Sequence, residues 1–143
     1  CSLLIVDLDH FKRINDGYGH AAGDDVLRGA AAVLRETAPA DAFFGRLGGD
    51  EFVVVLPDAP MMGAEAHAEV LRRAIEAIDL SHIGLPGPVT ASVGVTVSAI
   101  GGNSSAMLGR AERAAYAAKN GGRNRVESEP PAVPAATRAA AEV

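Results

Sequence analysis

The sequence predicts an α/β (α+β) domain with a mixed central sheet flanked by helices. Three observations lead there. The run Leu3-Leu4-Ile5-Val6 is short and wholly apolar, the pattern of a strand covered on both faces. Gly48-Gly49 stands between two apolar segments, a hairpin signal that argues against an all-parallel sheet. Elsewhere apolar residues recur at helical spacing in segments that alternate with strands.

Strand one spans Ser2 to Val6 and runs into Asp7-Leu8-Asp9, so acids sit at its carboxyl end. His10 to Ile14 reads as a helical turn and Asn15-Asp16-Gly17-Tyr18-Gly19 as a loop. Asp24 or Asp25 opens a helix whose Val26, Leu27, Ala30, Val33 and Leu34 recur with helical period through Arg35, and Pro39 closes it. Phe43 to Leu47 forms a strand, Gly48-Gly49-Asp50 a turn, and Glu51 to Leu56 the returning strand, which Pro57 ends. Ala68, Leu71, Ile75 and Ile78 mark a helix over Ala64 to Ile78. Pro86-Gly87-Pro88 is a loop, and Val89 to Ser98 alternates apolar with small polar residues as a strand does. Gly101-Gly102-Asn103 breaks it. Ser104 or Ser105 then caps a helix to Lys119, Gly121-Gly122 stops that helix, and Arg125-Val126 is a short last strand. The order of elements suggests a ferredoxin-like fold. From Ser128 the chain turns Pro- and Ala-rich without periodicity, so residues 128–143 are expected to be a linker or disordered tail and residues 1–127 the domain.

At 143 residues and 48% apolar content the chain fits one domain with a real core. Its net charge of −5 argues against general affinity for nucleic acid, although local cations and metal could still hold a nucleotide. The single cysteine, Cys1, excludes an internal disulfide. No apolar run reaches membrane-spanning length and no signal peptide is visible. The abrupt start on a strand is expected of a piece of a longer protein, read as a cytoplasmic domain whose parent chain could carry a membrane anchor.

Acids at strand ends and turns are usually solvated, but here they are set to meet. If strand one pairs beside the hairpin, Asp7 and Asp50 converge at one sheet edge, and converging carboxylates repel unless a cation lies between them. Magnesium suits such a place because it takes oxygen ligands and keeps room for water and phosphate. Two ions so held would stabilise both an attacking hydroxyl and a leaving pyrophosphate.

Five segments carry a resemblance. Arg46-Leu47-Gly48-Gly49-Asp50-Glu51-Phe52 contains GGDEF complete. Asp7 through Asp16 is similar to DxDxFKxxND, and Gly19-His20 with Gly23-Asp24 to GHxxGD. Ser92-Val93-Gly94 resembles an SxG strand, and Lys119 through Arg123-Asn124 a closing KxxGRN. In this order, over about residues 2–127, they resemble the GGDEF family of diguanylate cyclases. The resemblance implies a nucleotidyl cyclase palm fold and condensation of two GTP into cyclic di-GMP with release of two pyrophosphates. It implies Mg2+ (or Mn2+), two per site, held by Asp7, Asp50 and the backbone carbonyl of Leu8. Glu51 would sit beside them and assist deprotonation of the ribose 3′-hydroxyl, so Asp50 and Glu51 are the implied catalytic pair. Asn15 and Asp24 would read guanine; Lys12, Lys119 and Arg123, with the Gly48 and Gly49 backbone, would hold the triphosphate. The implied working unit is a homodimer, governed by sensory or regulatory domains of the parent chain. Asp9, Asp16 and His20 are expected to support structure, and Phe11 and Phe52 to be core.

Two departures stand out. Pro39 and Ala42 occupy the places of the Arg and Asp of an RxxD product-inhibition site, so no feedback through that site is expected. The helix with a DxLTxLxNR segment that usually precedes strand one is missing. The rival readings are a GTP-binding regulatory module without activity, another palm-fold nucleotidyl transferase, and a plain structural domain. The intact Asp50, Glu51, Lys119 and Arg123 weigh against the first.

Overall fold

The computed structural model describes residues 1–132. Its strands are β1 (Ser2–Leu8), β2 (Phe43–Arg46), β3 (Glu51–Leu56), β4 (Ala91–Val97) and β5 (Arg125–Ser128). They form one sheet of order β2-β3-β1-β4-β5. β1 runs antiparallel to both β3 and β4, while β4 and β5 are parallel, so the sheet is mixed as the hairpin signal requires. The central place of β1 explains its composition: Leu4, Ile5, Val6 and Leu8 are all fully buried.

The helices are α1 (Phe11–Tyr18), α2 (His20–Thr37), α3 (Met61–Glu76) and α4 (Ser104–Asn120). Strand alternation divides the core in two. Leu4, Val6 and Leu8 face α1, α2 and α3 and pack with Phe11, Val26, Phe52, Leu71 and Ile75. Leu3 and Ile5 face α4 and pack with Ala111 and Ala115. Burying each large aliphatic side chain contributes about 1.5–3 kcal/mol. Among the described residues no helix is long and apolar enough to cross a membrane.

α4 lies unusually close to the sheet. A Cβ on Gly94 in β4 would fall 2.2 Å from the Ala111 carbonyl oxygen and 2.3 Å from Ala115 N. The small faces of Ala111, Ala114, Ala115 and Ala118, all buried, permit this approach.

Four sequence expectations are corrected. Asn15 to Tyr18 complete α1 instead of forming a loop; only Gly19, at φ 90°, separates α1 from α2. A glycine turn of one residue, with Phe11 and Ile14 buried below it, overrides the weak helix propensity of Asn, Asp and Gly. For the same reason α2 starts at His20, and Asp24 and Asp25 lie inside it instead of capping it. The cap of α4 is Asn103, whose side chain accepts from Ala106 N at 2.8 Å, and Ser104 is already helical. α3 also runs from Met61 to Glu76, about a turn earlier at its start than its apolar spacing indicates; Pro60, extended at φ −75° and ψ 170°, precedes its first residue, and the Pro60 carbonyl accepts from Ala64 N at 2.9 Å.

The domain reaches slightly past residue 127. β5 includes Ser128, and Glu129 N donates to the Val95 carbonyl at 2.9 Å. The rest of the expected tail, beyond residue 132, lies outside the described residues.

Because Gly94 faces backbone, its replacement cannot be absorbed by a side-chain shift. Gly94→Ala is expected to lower the unfolding free energy by about 3 kcal/mol, checked by chemical denaturation. A change under about 0.5 kcal/mol would show that α4 can move away freely.

Candidate active site

The site is assembled where β1 ends beside the β2–β3 hairpin. Pairing of Asp7 with Glu51 across β1 and β3 puts both carboxylates on the α4 face of the sheet. Arg46 closes the hairpin from within, its Nε donating to the Gly48 carbonyl at 2.9 Å and its Nη2 to the Gly49 carbonyl at 2.8 Å. Leu8 N donates to the Asp50 carbonyl at 3.0 Å, which fixes Asp50 next to the end of β1. No backbone bond returns from Asp50 N to the Leu8 carbonyl.

Lys119, at the end of α4, places Nζ 3.0 Å from Asp7 Oδ1 and 3.8 Å from Asp9 Oδ1. The approach to Asp7 is an ion pair outside hydrogen-bond angles, so Oδ1 remains buried without a hydrogen-bond partner. Burial pushes the Asp7 carboxyl above the usual carboxylate range; Lys119 opposes this, and Asp50 and Asp9 add to it. Glu51 is pushed up in the same way, first by burial and then by Asp7, Glu112 and Asp50. A cleft of about 370 Å³ opens over these groups, walled by Ile5, Asp7, Glu51, Glu112, Tyr116 and Lys119.

These residues suit a divalent cation. Asp7, Asp50 and Glu51 are acids crowded enough to raise one another, and among the described residues Lys119 is the one cation set against them in the cleft, so further positive charge would be accommodated there. Among the described residues no three His, Cys, Asp or Glu side chains by themselves enclose an ion. Any ion held by Asp7, Asp50 and the Leu8 carbonyl would therefore need further ligands from water or a bound phosphate.

Asp9, two residues on, is treated differently. It is 3% exposed and accepts from Thr90 Oγ1 at 2.7 Å, Ser92 Oγ at 2.7 Å and Asn124 N at 3.0 Å. Its charge is satisfied inside the fold, so it supports structure. Phe11 and Phe52 are core, at 9% and 4% exposure. His20 starts α2 exposed, and no hydrogen bond reaches its ring among the described residues.

A second cluster lies at the α1–α2 junction. A Cβ on Gly23 would fall 1.8 Å from Asn15 Oδ1, so the absent side chain of Gly23 is the space that the Asn15 amide occupies. Asp24 follows directly and is exposed. Lys12 is exposed on α1, and Arg123 is exposed in the turn after α4. Among the described residues no ion pair joins Lys12 or Arg123 to the acids. Gly48 and Gly49 have no positive φ, so the turn itself does not demand glycine. The space around them is open: a Cβ on Gly49 would meet nothing within 4 Å.

The structure thus brings Asp7, Asp50, Glu51 and Lys119 together, and Asn15 with the Gly23-Asp24 step. Sequence reasoning missed Glu112 and Tyr116 on the cleft wall. Their signal was the spacing on α4, with Glu112 two turns and Tyr116 one turn before Lys119 on the same face.

Gly23→Ala is expected to expel the Asn15 amide from its place. In amide NMR spectra the Asn15 side-chain resonances should move while those of Gly94 stay. Unchanged Asn15 resonances would show that the amide does not depend on this space.

Comparison with known proteins agrees with this geometry. Residues 1–125 match the family described as diguanylate cyclase, GGDEF domain. The chain is 44% identical over 127 residues to diguanylate cyclase DgcP of Pseudomonas aeruginosa, covering 87% of this chain and 19% of that protein. It is 42% identical over 125 residues to diguanylate cyclase DgcM of Escherichia coli K12, covering 87% of this chain and 30% of that protein. It therefore spans well under half the length of these curated relatives. Among solved structures, it superposes on the GGDEF domain of DgcB from Caulobacter crescentus in complex with c-di-GMP. That match has a TM-score of 0.83 and 34% identity, covering 89% of this chain and 76% of the other. Diguanylate cyclase SiaD from Pseudomonas aeruginosa, in complex with its activator SiaC, matches with a TM-score of 0.80 and 32% identity, over 91% of this chain and 49% of the other. On sequence and fold alike, the chain belongs to the GGDEF domain family of diguanylate cyclases.

Proposed function

We propose that this chain condenses two GTP into cyclic di-GMP. The observation that carries the proposal is Lys119 Nζ at 3.0 Å from Asp7, in one cleft with Glu51 and beside the hairpin turn. A cation for phosphate and carboxylates for metal meet there at the open end of a sheet. In the reaction, the 3′-oxygen of one GTP bonds to the α-phosphorus of the other, the bond from that phosphorus to the bridging oxygen breaks, and pyrophosphate leaves. The step repeated with roles exchanged closes the ring.

Asp7, Asp50 and the Leu8 carbonyl would hold Mg2+ or Mn2+, two ions per site. When bound, such ions neutralise the carboxylates and the charge developing on phosphate oxygens. Glu51 takes the proton of the 3′-hydroxyl. Lys12, Lys119 and Arg123 bind the triphosphate, and the open backbone at Gly48 and Gly49 allows phosphate close approach. Asn15 and Asp24 orient guanine by its hydrogen-bonding edge. One domain has one such site, and the product has two guanosines, so the working unit is a homodimer whose facing sites are set by other parts of the parent chain. The complex of the similar DgcB domain with c-di-GMP supports the class of product, and the SiaD–SiaC complex supports control by a partner.

The test is incubation with GTP and Mg2+, with the chain fused to a dimeric coiled coil so that dimerisation does not limit the result. Cyclic di-GMP is expected by chromatography, with a loss of at least about a hundredfold in Asp50→Ala. No product from the fused, GTP-bound protein would overturn the proposal.

Pro39, Asp41 and Ala42 stand where the RxxD site would be, and Asp41 is exposed there without a matching arginine. Added cyclic di-GMP is therefore expected not to slow the initial rate non-competitively. Potent non-competitive inhibition, lost on replacing Asp41, would contradict this.

A further inference from the structure

The turn after α4 is held in an unfavourable conformation by side chains from a distant helix. Arg123 and Asn124 both have left-handed backbones, at φ 63° and 47°. Asn tolerates this region, but a long side chain such as Arg rarely adopts it, and two such residues in succession need external support. Arg123 N donates to the Ala118 carbonyl at 3.0 Å, which closes the end of α4. Asn124 carries the rest. Its backbone N donates to Asp9 Oδ2 at 3.0 Å. Its Oδ1 accepts from Arg72 Nη1 at 2.7 Å, and its Nδ2 donates to Glu76 Oε2 at 2.5 Å. Arg72 is fixed in turn by Glu69, to which its Nε donates at 3.0 Å and its Nη2 also donates. The Arg72 side chain is only 13% exposed, so it is a built part of the fold and not a surface pair.

We infer that Arg72, Glu76 and Asn124 form a clamp that positions the Arg123 turn for the triphosphate. The inference rests on the substrate reading above and adds positioning residues to it. Asn124 uses both ends of its amide and its backbone N–H at once, against two helix side chains and the buried Asp9. The turn is thereby tied to α3 on one side and to the end of β1 on the other. Arg123 projects from the residue before the clamped one, and Lys119 sits one turn earlier. The position of Arg123 is thus tied to a helix that does not touch the cleft. A plain helix-surface role for Arg72 would be met by the Glu69 pair alone, yet its Nη1 is turned toward a residue 52 positions away.

The test compares binding of Mg2+–GTP and GMP to the wild type and to Arg72→Met by calorimetry. Arg72→Met is expected to weaken GTP by about tenfold or more and GMP by less than about twofold. In an Arg123→Met background, Arg72→Met should cost GTP binding less than about twofold, because the positioned group is already gone. Equal losses for GTP and GMP, no loss for GTP, or the same loss in both backgrounds would overturn the inference. A second readout needs no nucleotide: hydrogen exchange at the Asn124 amide should quicken in Arg72→Met while Val93 in the central sheet keeps its rate. Unchanged exchange at Asn124 overturns the clamp. Faster exchange in a protein whose wild type binds GTP no better than GMP leaves the clamp standing and overturns the substrate reading instead.

Discussion

The distance between α4 and the sheet is the constraint on which the rest of this structure depends. β4 carries Gly94 where α4 crosses it, and the backbone atoms of Ala111 and Ala115 occupy the volume that any side chain there would need. An alanine-lined helix resting directly on a strand has little freedom to shift. Its end, at Lys119, therefore arrives at a fixed place, 3.0 Å from a carboxylate at the end of the central strand. Packing on one side of the sheet thus sets charge geometry at its edge. The SxG segment serves this twice, since Ser92 satisfies Asp9 and Gly94 admits α4.

Two carboxylates two residues apart show how burial and donors divide labour. Asp9 is the more deeply buried, yet two hydroxyls and a backbone N–H satisfy it, so its charge is accommodated inside the fold. Asp7 has the ion pair with Lys119 and a buried oxygen without a hydrogen bond, and its carboxyl is raised by burial. The same strand end thus holds one acid that organises the loops Thr90 and Asn124 and another that is open to chemistry.

Much of this was legible in the residues. The wholly apolar Leu3–Val6 run identified the central strand, and the paired glycines between apolar segments identified the hairpin, because both signals rest on local chemistry. The convergence of Asp7 with the hairpin acids followed from β1 lying beside β3. What failed was also local in origin. The Asn15–Tyr18 segment has loop composition but is held helical by Phe11 and Ile14 packing beneath it, which propensity does not register. Helix starts at His20 and Met61 follow Gly19 and Pro60 instead of acidic caps or apolar spacing. The roles of Thr90 and Ser92 around Asp9, and of Gly23 beneath Asn15, depend on contacts between elements far apart in the chain or on a cavity of one missing methyl group. No periodicity reports such contacts.

In the proposed function the acids at the end of β1 bind GTP through a divalent cation. Calorimetric titration of GTP in Mg2+ and in chelator, for the wild type and for Asp7→Asn, tests it most directly. Mg2+ should tighten GTP binding by about tenfold or more in the wild type, and that gain should vanish in Asp7→Asn. An equal gain in both proteins, or GTP binding to the wild type that is indifferent to Mg2+, would contradict the assignment of this strand end as a metal site.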